Sequence, residues 1–291
     1  MPKHLIATGI NGLVGSKFKE LYTKSYTIQS LDIADKHNPV DITNKNQVLS
    51  ALANTAAECV IHLAAYTDVT AAWKQRNDKS GSAYKVNVEG TRNIVHACKQ
   101  SNLHLIHIST AYVFDGKKDG LYNEDDQVNP IEWYGYTKAE AETVIRESDV
   151  SHTILRIDQP FRSDRHTRPD IAHRIIDGLT SGELYPQFTN HFFGPTFIDD
   201  FAKVLDWVAR TKPEGVFNAS SGEQWSDYDF AQAIAQTHSF SPNLVKKGNL
   251  DEYLQSLDRP YQKNTAMDTS KLQSNIDFKL TDIIDALSLV R

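Results

Sequence analysis

Short apolar runs and amphipathic stretches alternate along the first half of the chain. "HLIAT" is followed by "GLVGSKFKELYTK", in which Leu13, Val14, Phe18 and Leu21 recur at helical spacing. "YTIQSLD" precedes a second helical stretch, "NKNQVLSALAN", and "CVIHLAA" is a third run. "SAYKVNVEGTRNIVHACKQ" predicts one long helix with Tyr84, Val88, Ile94, Val95 and Cys98 along one side. "LHLIHIST", a helix beginning near Tyr136, and "HTILRI" complete the alternation. Strand-helix alternation predicts an α/β fold, and runs this continuously apolar predict strands buried on both faces. The expectation is a doubly wound parallel sheet over residues 1–158. After Arg156 the pattern loosens, and residues 159–291 are expected to form mostly a smaller C-terminal substrate-binding region, with a strand near 215–220 returning to the sheet. That region is placed over the carboxyl ends of the strands, where open α/β sheets bind ligands.

Composition narrows the function classes. A net charge of -6 argues against a general nucleic-acid binder. No apolar run approaches the ~18 residues of a membrane span, and the chain enters a strand at once, so a cytoplasmic protein is expected. Cys59 and Cys98 lie in apolar segments and read as buried free thiols. The histidines are scattered without metal-ligand spacing, so no metal is expected.

The first chemical motif is "TGINGLVG", between the first strand and the first helix. Gly9 permits a tight turn, Gly12 lets the backbone approach a pyrophosphate, and Gly15 lets helix and strand pack closely. The helix start adds oriented N–H donors and a partial positive charge. This is a Rossmann-type dinucleotide turn, and Gly9, Asn11, Gly12, Leu13, Val14 and Gly15 are expected against the cofactor. Asp32 ends the second strand. A carboxylate there accepts hydrogen bonds from the adenosine ribose and repels a 2'-phosphate, and "IADKH" after it contains a lysine but no arginine. NAD is therefore the expected cofactor, with NADH preferred over NADPH.

"WYGYTKAEAE" sets two phenols near one ammonium. Residues four apart share a helix face and residues two apart do not, so Tyr134 and Lys138 can share a site while Tyr136 points elsewhere. A phenol is a poor acid-base catalyst at neutral pH until a cation lowers its pKa, which is the role expected of Lys138. Thr110, at the end of "HLIHIST", can hydrogen-bond the same carbonyl. Further along, "FRSDRHTRPD" brings together Arg162, Arg165 and Arg168 just past the fifth strand, interleaved with Asp164 and Asp170. The pattern suits a solvated loop, and it also suits guanidinium forks holding a diphosphate, with Arg259 of "RPYQ" in reserve.

The order "TGINGLVG", "HLAA", "KVNVEGT", "ISTAYVFDG", "YGYTK" resembles the extended short-chain dehydrogenases/reductases over nearly the whole chain. "STAYVFDGKKDGLYNEDDQVNPIEWYGYTKAEAE", "FFGPTFIDDFAKVL" and "RPYQKNTAMDTSKLQ" are most similar to the dTDP-4-dehydrorhamnose reductase group. The resemblance implies that Thr110, Tyr134 and Lys138 are catalytic and that Tyr134 and Lys138 also touch the cofactor. It implies that Asp41 and Ile42 flank the adenine and that Ala64, Ala65 and Tyr66 line the cofactor. The implied activity is NAD(P)-dependent reduction of the C4 ketone of a nucleotide-linked 6-deoxy sugar. Two positions depart from the group: Ala111 stands where an Asp is usual, and Gln159 where a Trp is frequent. Ala111 also removes the Asp-Glu pair that dehydratases of this fold carry. An NAD-dependent nucleotide-sugar epimerase and a non-catalytic regulatory subunit of methionine adenosyltransferase type are the alternatives. Oligomeric state stays open, with a homodimer among the options.

Overall fold

The computed structural model describes residues 2–35 and 38–291. Its central sheet contains β1 (Lys3–Thr8), β2 (Tyr26–Leu31), β3 (Cys59–His62), β4 (His104–Thr110), β5 (His152–Ile157) and β6 (Gly215–Asn218). The spatial order is β6-β5-β4-β3-β1-β2, and every neighbouring pair is parallel. After β2 the chain crosses back to set β3 on the other side of β1. A crevice therefore opens between the carboxyl ends of β1 and β3, the position where doubly wound sheets take their ligands. β4 is buried at every position, which is why its sequence reads as one apolar run.

The longer helices are α1 (Leu13–Tyr22), α2 (Lys45–Leu52), α3 (Thr91–Ser101), α4 (Trp133–Arg146), α5 (Ile171–Ser181), α6 (Ile198–Thr211) and α7 (Asp227–Thr237). On one face of the sheet Phe18 of α1 packs with Phe201, Leu205 and Val208 of α6. On the other, Val48 and Leu52 of α2 meet Ile94 and Cys98 of α3 and Ile145 of α4. Both α6 and β6 lie late in the chain yet complete the sheet layers. The remaining late segments bury Phe161, Ala172, Phe193, Phe230 and Leu287 in a separate cluster. Cys59 and Cys98 are free and buried, and burial pushes the Cys59 thiol up to about 12.

Three local features differ from the sequence expectation. The stretch before α3 is not regular helix: Lys85–Gly90 forms a π-turn. Within it Asn87 accepts from Tyr66 N (2.8 Å) and donates to Tyr66 O (3.1 Å) and to Thr137 Oγ1 (2.8 Å). The wide turn thereby ties the segment after β3 to α4, a use of π-bulges frequent near functional sites. Helix α4 also begins at Trp133 rather than near Tyr136, because the Glu132 carboxylate accepts from Tyr134 N (2.7 Å) and Gly135 N (2.5 Å) and caps it there. Likewise α1 buries Lys17 while leaving Leu21 48% exposed. Lys17 pairs with Asp164, Asp199 and Glu20, an arrangement helical periodicity alone does not reveal.

Candidate active site

The turn after β1 opens on a cleft of about 960 Å³. Gly9 holds φ +62°, and a Cβ there would lie 2.7 Å from Ala64 N. At Gly15 a Cβ would meet Ile10 O at 2.6 Å. Only glycine fits either place, so the backbone of the turn comes up close to the β3 segment. Helix α1 starts without a side-chain cap and without an acidic residue in its first turn. Its leading N–H groups and positive dipole end thus face the cleft without a competing carboxylate, as a phosphate site requires. Gly9, Asn11, Gly12, Leu13, Val14 and Gly15 all line this cleft, as do Asp32, Asp41, Ile42, Ala64 and Ala65. Asp32 accepts from Ala34 N (3.0 Å) and Asn11 Nδ2 (3.2 Å) at the mouth of β2. Lys36 of the same stretch lies outside the described residues. Tyr66 is not among the lining residues; its backbone is held by Asn87 and its hydroxyl accepts from Gln75 Nε2 (3.2 Å). The cradle fits a dinucleotide: these residues would hold its pyrophosphate, adenine and ribose.

Thr110, Tyr134 and Lys138 line the same cleft. Thr110 Oγ1 accepts from Tyr112 N (3.3 Å). The Tyr134 phenol is raised above its ordinary value. Burial raises it most, the nearby Thr110 side chain pulls it back, and the carboxylates of Glu132 and Asp158 push it further up. Lys138 is fastened elsewhere, donating to Ile108 O (2.7 Å) and meeting His107 Nε2 at 3.1 Å. Burial brings its ammonium down to about 8, and Glu142 partly restores it. Burial, followed by the charge of Lys138, drives His107 far below its usual value. A neutral His107 that accepts at Nε2 carries its proton on Nδ1, which has no partner. Lys138 is not among the groups that shift Tyr134 in this arrangement, and the net shift is upward. What remains is a phenol well suited to stay protonated until a substrate oxygen takes its proton. Tyr136 stacks on Trp133 with ring centroids 4.8 Å apart and does not line the cleft.

The arginines separate. Arg162 is 3% exposed and donates to Leu13 O (3.0 Å), Ser16 Oγ (2.7 Å) and Asp164 (3.0 and 2.8 Å). It braces the start of α1 from behind and does not line the cleft. Arg165 forms a two-pronged exposed pair with Asp177 (3.1 and 2.7 Å). Arg168 and Arg259 do line the cleft. Arg168 reaches Thr67 Oγ1 at 3.2 Å. Arg259 stands over the Tyr261 ring at 4.2 Å with its buried Nη1 unpartnered. Arg174, which the sequence did not single out, is exposed and lines the cleft from α5. Two buried carboxyls near Tyr134 were also missed. Glu132 is pushed up to about 7 by burial, against its backbone bonds and the charge of Arg259. Asp158 is likewise raised to about 7 by burial. A capping position immediately before "WYG" was a visible signal for Glu132; nothing local marked Asp158.

The model of the RmlD substrate binding domain matches residues 3–290. A dTDP-4-dehydrorhamnose reductase of Aggregatibacter actinomycetemcomitans is 29% identical over 99% of this chain and 98% of its own length. The crystal structure of dTDP-4-dehydrorhamnose reductase from Bacillus anthracis str. Ames in complex with NADP superimposes with a TM-score of 0.87 at 25% identity, over 99% of this chain and 98% of that one. Methionine adenosyltransferase 2 subunit beta of Bos taurus is 25% identical over 94% of this chain and 82% of its own length. No helix among the described residues is long and apolar enough to cross a membrane.

Proposed function

The chain belongs to the RmlD substrate binding domain family, and from that membership we propose that it is a nicotinamide-dependent reductase acting on the C4 ketone of a nucleotide-linked 6-deoxy sugar. The observation that carries this reading is a single cleft lined by both the glycine cradle and the side chains of Thr110, Tyr134 and Lys138. The bound nicotinamide supplies the hydride. Thr110 offers its hydroxyl to the ketone oxygen and orients it. Tyr134 gives its proton to that oxygen as negative charge develops there. Lys138 keeps an ammonium in the cleft wall for the nicotinamide ribose. The test is a panel of nucleotide-linked 4-keto sugars with the absorbance of the reduced cofactor as readout. Stoichiometric cofactor oxidation with at least one 6-deoxy member supports the reading. Sugar conversion without net cofactor oxidation would instead make the protein an epimerase. Tight cofactor binding with no turnover on any member would favour the regulatory role suggested by the methionine adenosyltransferase relative, against which the intact trio argues.

Asp32 bears on cofactor choice. Its carboxylate faces the cleft at the end of β2, where it accepts ribose hydroxyls and repels a 2'-phosphate. NADH is expected to give the higher kcat/KM, although the Bacillus anthracis structure holds NADP. Asp32→Ala is expected to narrow the gap. Measuring kcat/KM for both cofactors in both proteins decides this, and a wild type that favours NADPH removes the role given to Asp32.

Arg168 and Arg259 are proposed to hold the diphosphate of the sugar nucleotide. Such contacts form equally in ground and transition states, so their loss raises KM more than it lowers kcat. Arg259→Ala and Arg168→Ala are each expected to raise KM for the sugar nucleotide by about tenfold or more, the range of a charge-assisted hydrogen bond. Arg165→Ala, which breaks only the exposed pair with Asp177, is expected to leave KM within about twofold. Steady-state kinetics on the three variants ranks them, and an unchanged KM in both cleft variants places the diphosphate elsewhere.

A further inference from the structure

Asp158 follows directly on β5 and is 2% exposed. Its Oδ2 accepts from Thr265 Oγ1 (2.7 Å) and from Gly194 N (3.0 Å), and its own N–H donates to Thr196 Oγ1 (3.0 Å). These bonds pin the residue between two segments, one at Gly194–Thr196 and one at Thr265. Oδ1 has no partner, although it is fully buried and its residue lines the cleft. The next residue, Gln159, holds φ +34°, an unfavourable backbone for a non-glycine residue. Strain of this kind persists only where the surroundings fix it.

A purely structural role leaves this arrangement unexplained. Asn at 158 would satisfy Thr265 and Gly194 equally well without the desolvation cost of a carboxyl group. An acceptor oxygen buried without a donor is unfavourable, and such groups in native structures call for a reason. Asp158 directly follows Ile157, which lies opposite Thr110 in the parallel pairing of β4 and β5, and both Asp158 and Thr110 line the cleft. The missing donor therefore belongs beside the carbonyl that Tyr134 protonates.

We propose that Asp158 is a substrate-recognition residue whose unpartnered Oδ1 accepts a hydrogen bond from the hydroxyl on the ring carbon next to the ketone. The proposal rests on the reductase reading for the position of the ketone. It extends that reading by naming a required group: the sugar must present a donor at that carbon. A site built around such a bond rejects an analogue lacking the hydroxyl far more strongly than an apolar pocket rejects a missing methylene.

The test is calorimetric binding of a dTDP-linked 6-deoxyhexose and of its 3-deoxy analogue to the cofactor-loaded protein, so that turnover is not needed. At about pH 9, above the value of about 7 to which burial raises Asp158, wild type is expected to bind the hydroxylated sugar about 10- to 100-fold more tightly, the range for a hydrogen bond to a charged group. Asp158→Asn keeps acceptors for Thr265 and Gly194 and is expected to bring the ratio close to one. Thr265→Val removes the bond to Oδ2 and leaves Oδ1, so it is expected to retain most of the ratio; a merely anchoring role would make the two variants alike. Thermal unfolding of each variant shows that it is folded. Equal affinity of wild type for the two sugars, no binding of either, or an Asp158→Asn variant that keeps the ratio overturns the proposal. Cofactor oxidation followed separately with the corresponding dTDP-linked 4-keto-6-deoxyhexose reports on the reductase reading: a preserved binding ratio without oxidation of the ketone samples sinks that reading and leaves the recognition site standing.

Discussion

Tyr134→Phe is expected to lower kcat by about two to four orders of magnitude, the range for removing a general acid. The substitution deletes one oxygen from a side chain whose ring stays buried, so folding and cofactor binding should survive. The lost group is the phenol that lines the cleft together with Thr110 and Lys138. Tyr136→Phe is the matched control. Tyr136 stacks on Trp133 outside the cleft, and its loss of a hydroxyl should change kcat by less than about twofold. Steady-state turnover of both variants, with thermal midpoints to show that each is folded, separates the two tyrosines. Comparable losses in both would contradict the assignment made from their spacing.

Glu142→Ala is expected to destabilise the fold by about 3–5 kcal/mol. Glu142 and Arg156 form a two-pronged ion pair (2.9 and 2.7 Å) with side chains 0% and 1% exposed. Ser109 donates to the same carboxylate at 2.6 Å. The three groups fasten α4 to β4 and β5 directly beneath the site. Removing the carboxylate strands a guanidinium whose Nη1 already has no partner and whose other neighbour is the Phe114 ring at 5.0 Å. Water cannot replace the lost charge at that depth. The exposed pair Lys99–Asp149, at 2.6 Å with side chains 55% and 88% exposed, gives the contrast. Asp149→Ala should leave the unfolding midpoint near that of wild type despite the short distance, because solvent screens the pair. Urea unfolding of both variants measures the difference in midpoint. A Glu142→Ala midpoint as close to wild type as that of Asp149→Ala would show that the buried pair contributes little.

The parts of the fold legible in the sequence are those governed by local period. Strands buried on both faces read as apolar runs, and "TGINGLVG" read as a turn because Gly9 and Gly15 sit where a Cβ collides with Ala64 and Ile10. Helical spacing put Tyr134 and Lys138 on a common face, and both reach the cleft. What the sequence could not show depends on contacts far apart in the chain. Arg162 reads like its neighbours Arg165 and Arg168, yet it donates to Leu13 O, 149 residues away, and so braces α1. Asp158 reads as the first residue of a charged loop, and only the approach of Gly194 and Thr265 makes it buried. The π-turn at Lys85–Gly90 hid for a different reason: one extra residue in a helical turn scarcely alters the apolar pattern around it. Lys138 was expected to act on Tyr134, and its partner His107 could not be foreseen because strand alternation says which face a residue takes but not what it meets.

The central claim is reduction at a sugar carbon with hydride taken from the nicotinamide and the proton from Tyr134. It is tested most directly by running the reaction with NADH carrying deuterium at both C4 positions and locating the label in the sugar by NMR. Deuterium at C4 of the nucleotide-linked 6-deoxyhexose, one per cofactor oxidised, is the predicted result. A converted sugar with no deuterium, and with the cofactor unconsumed, would contradict it.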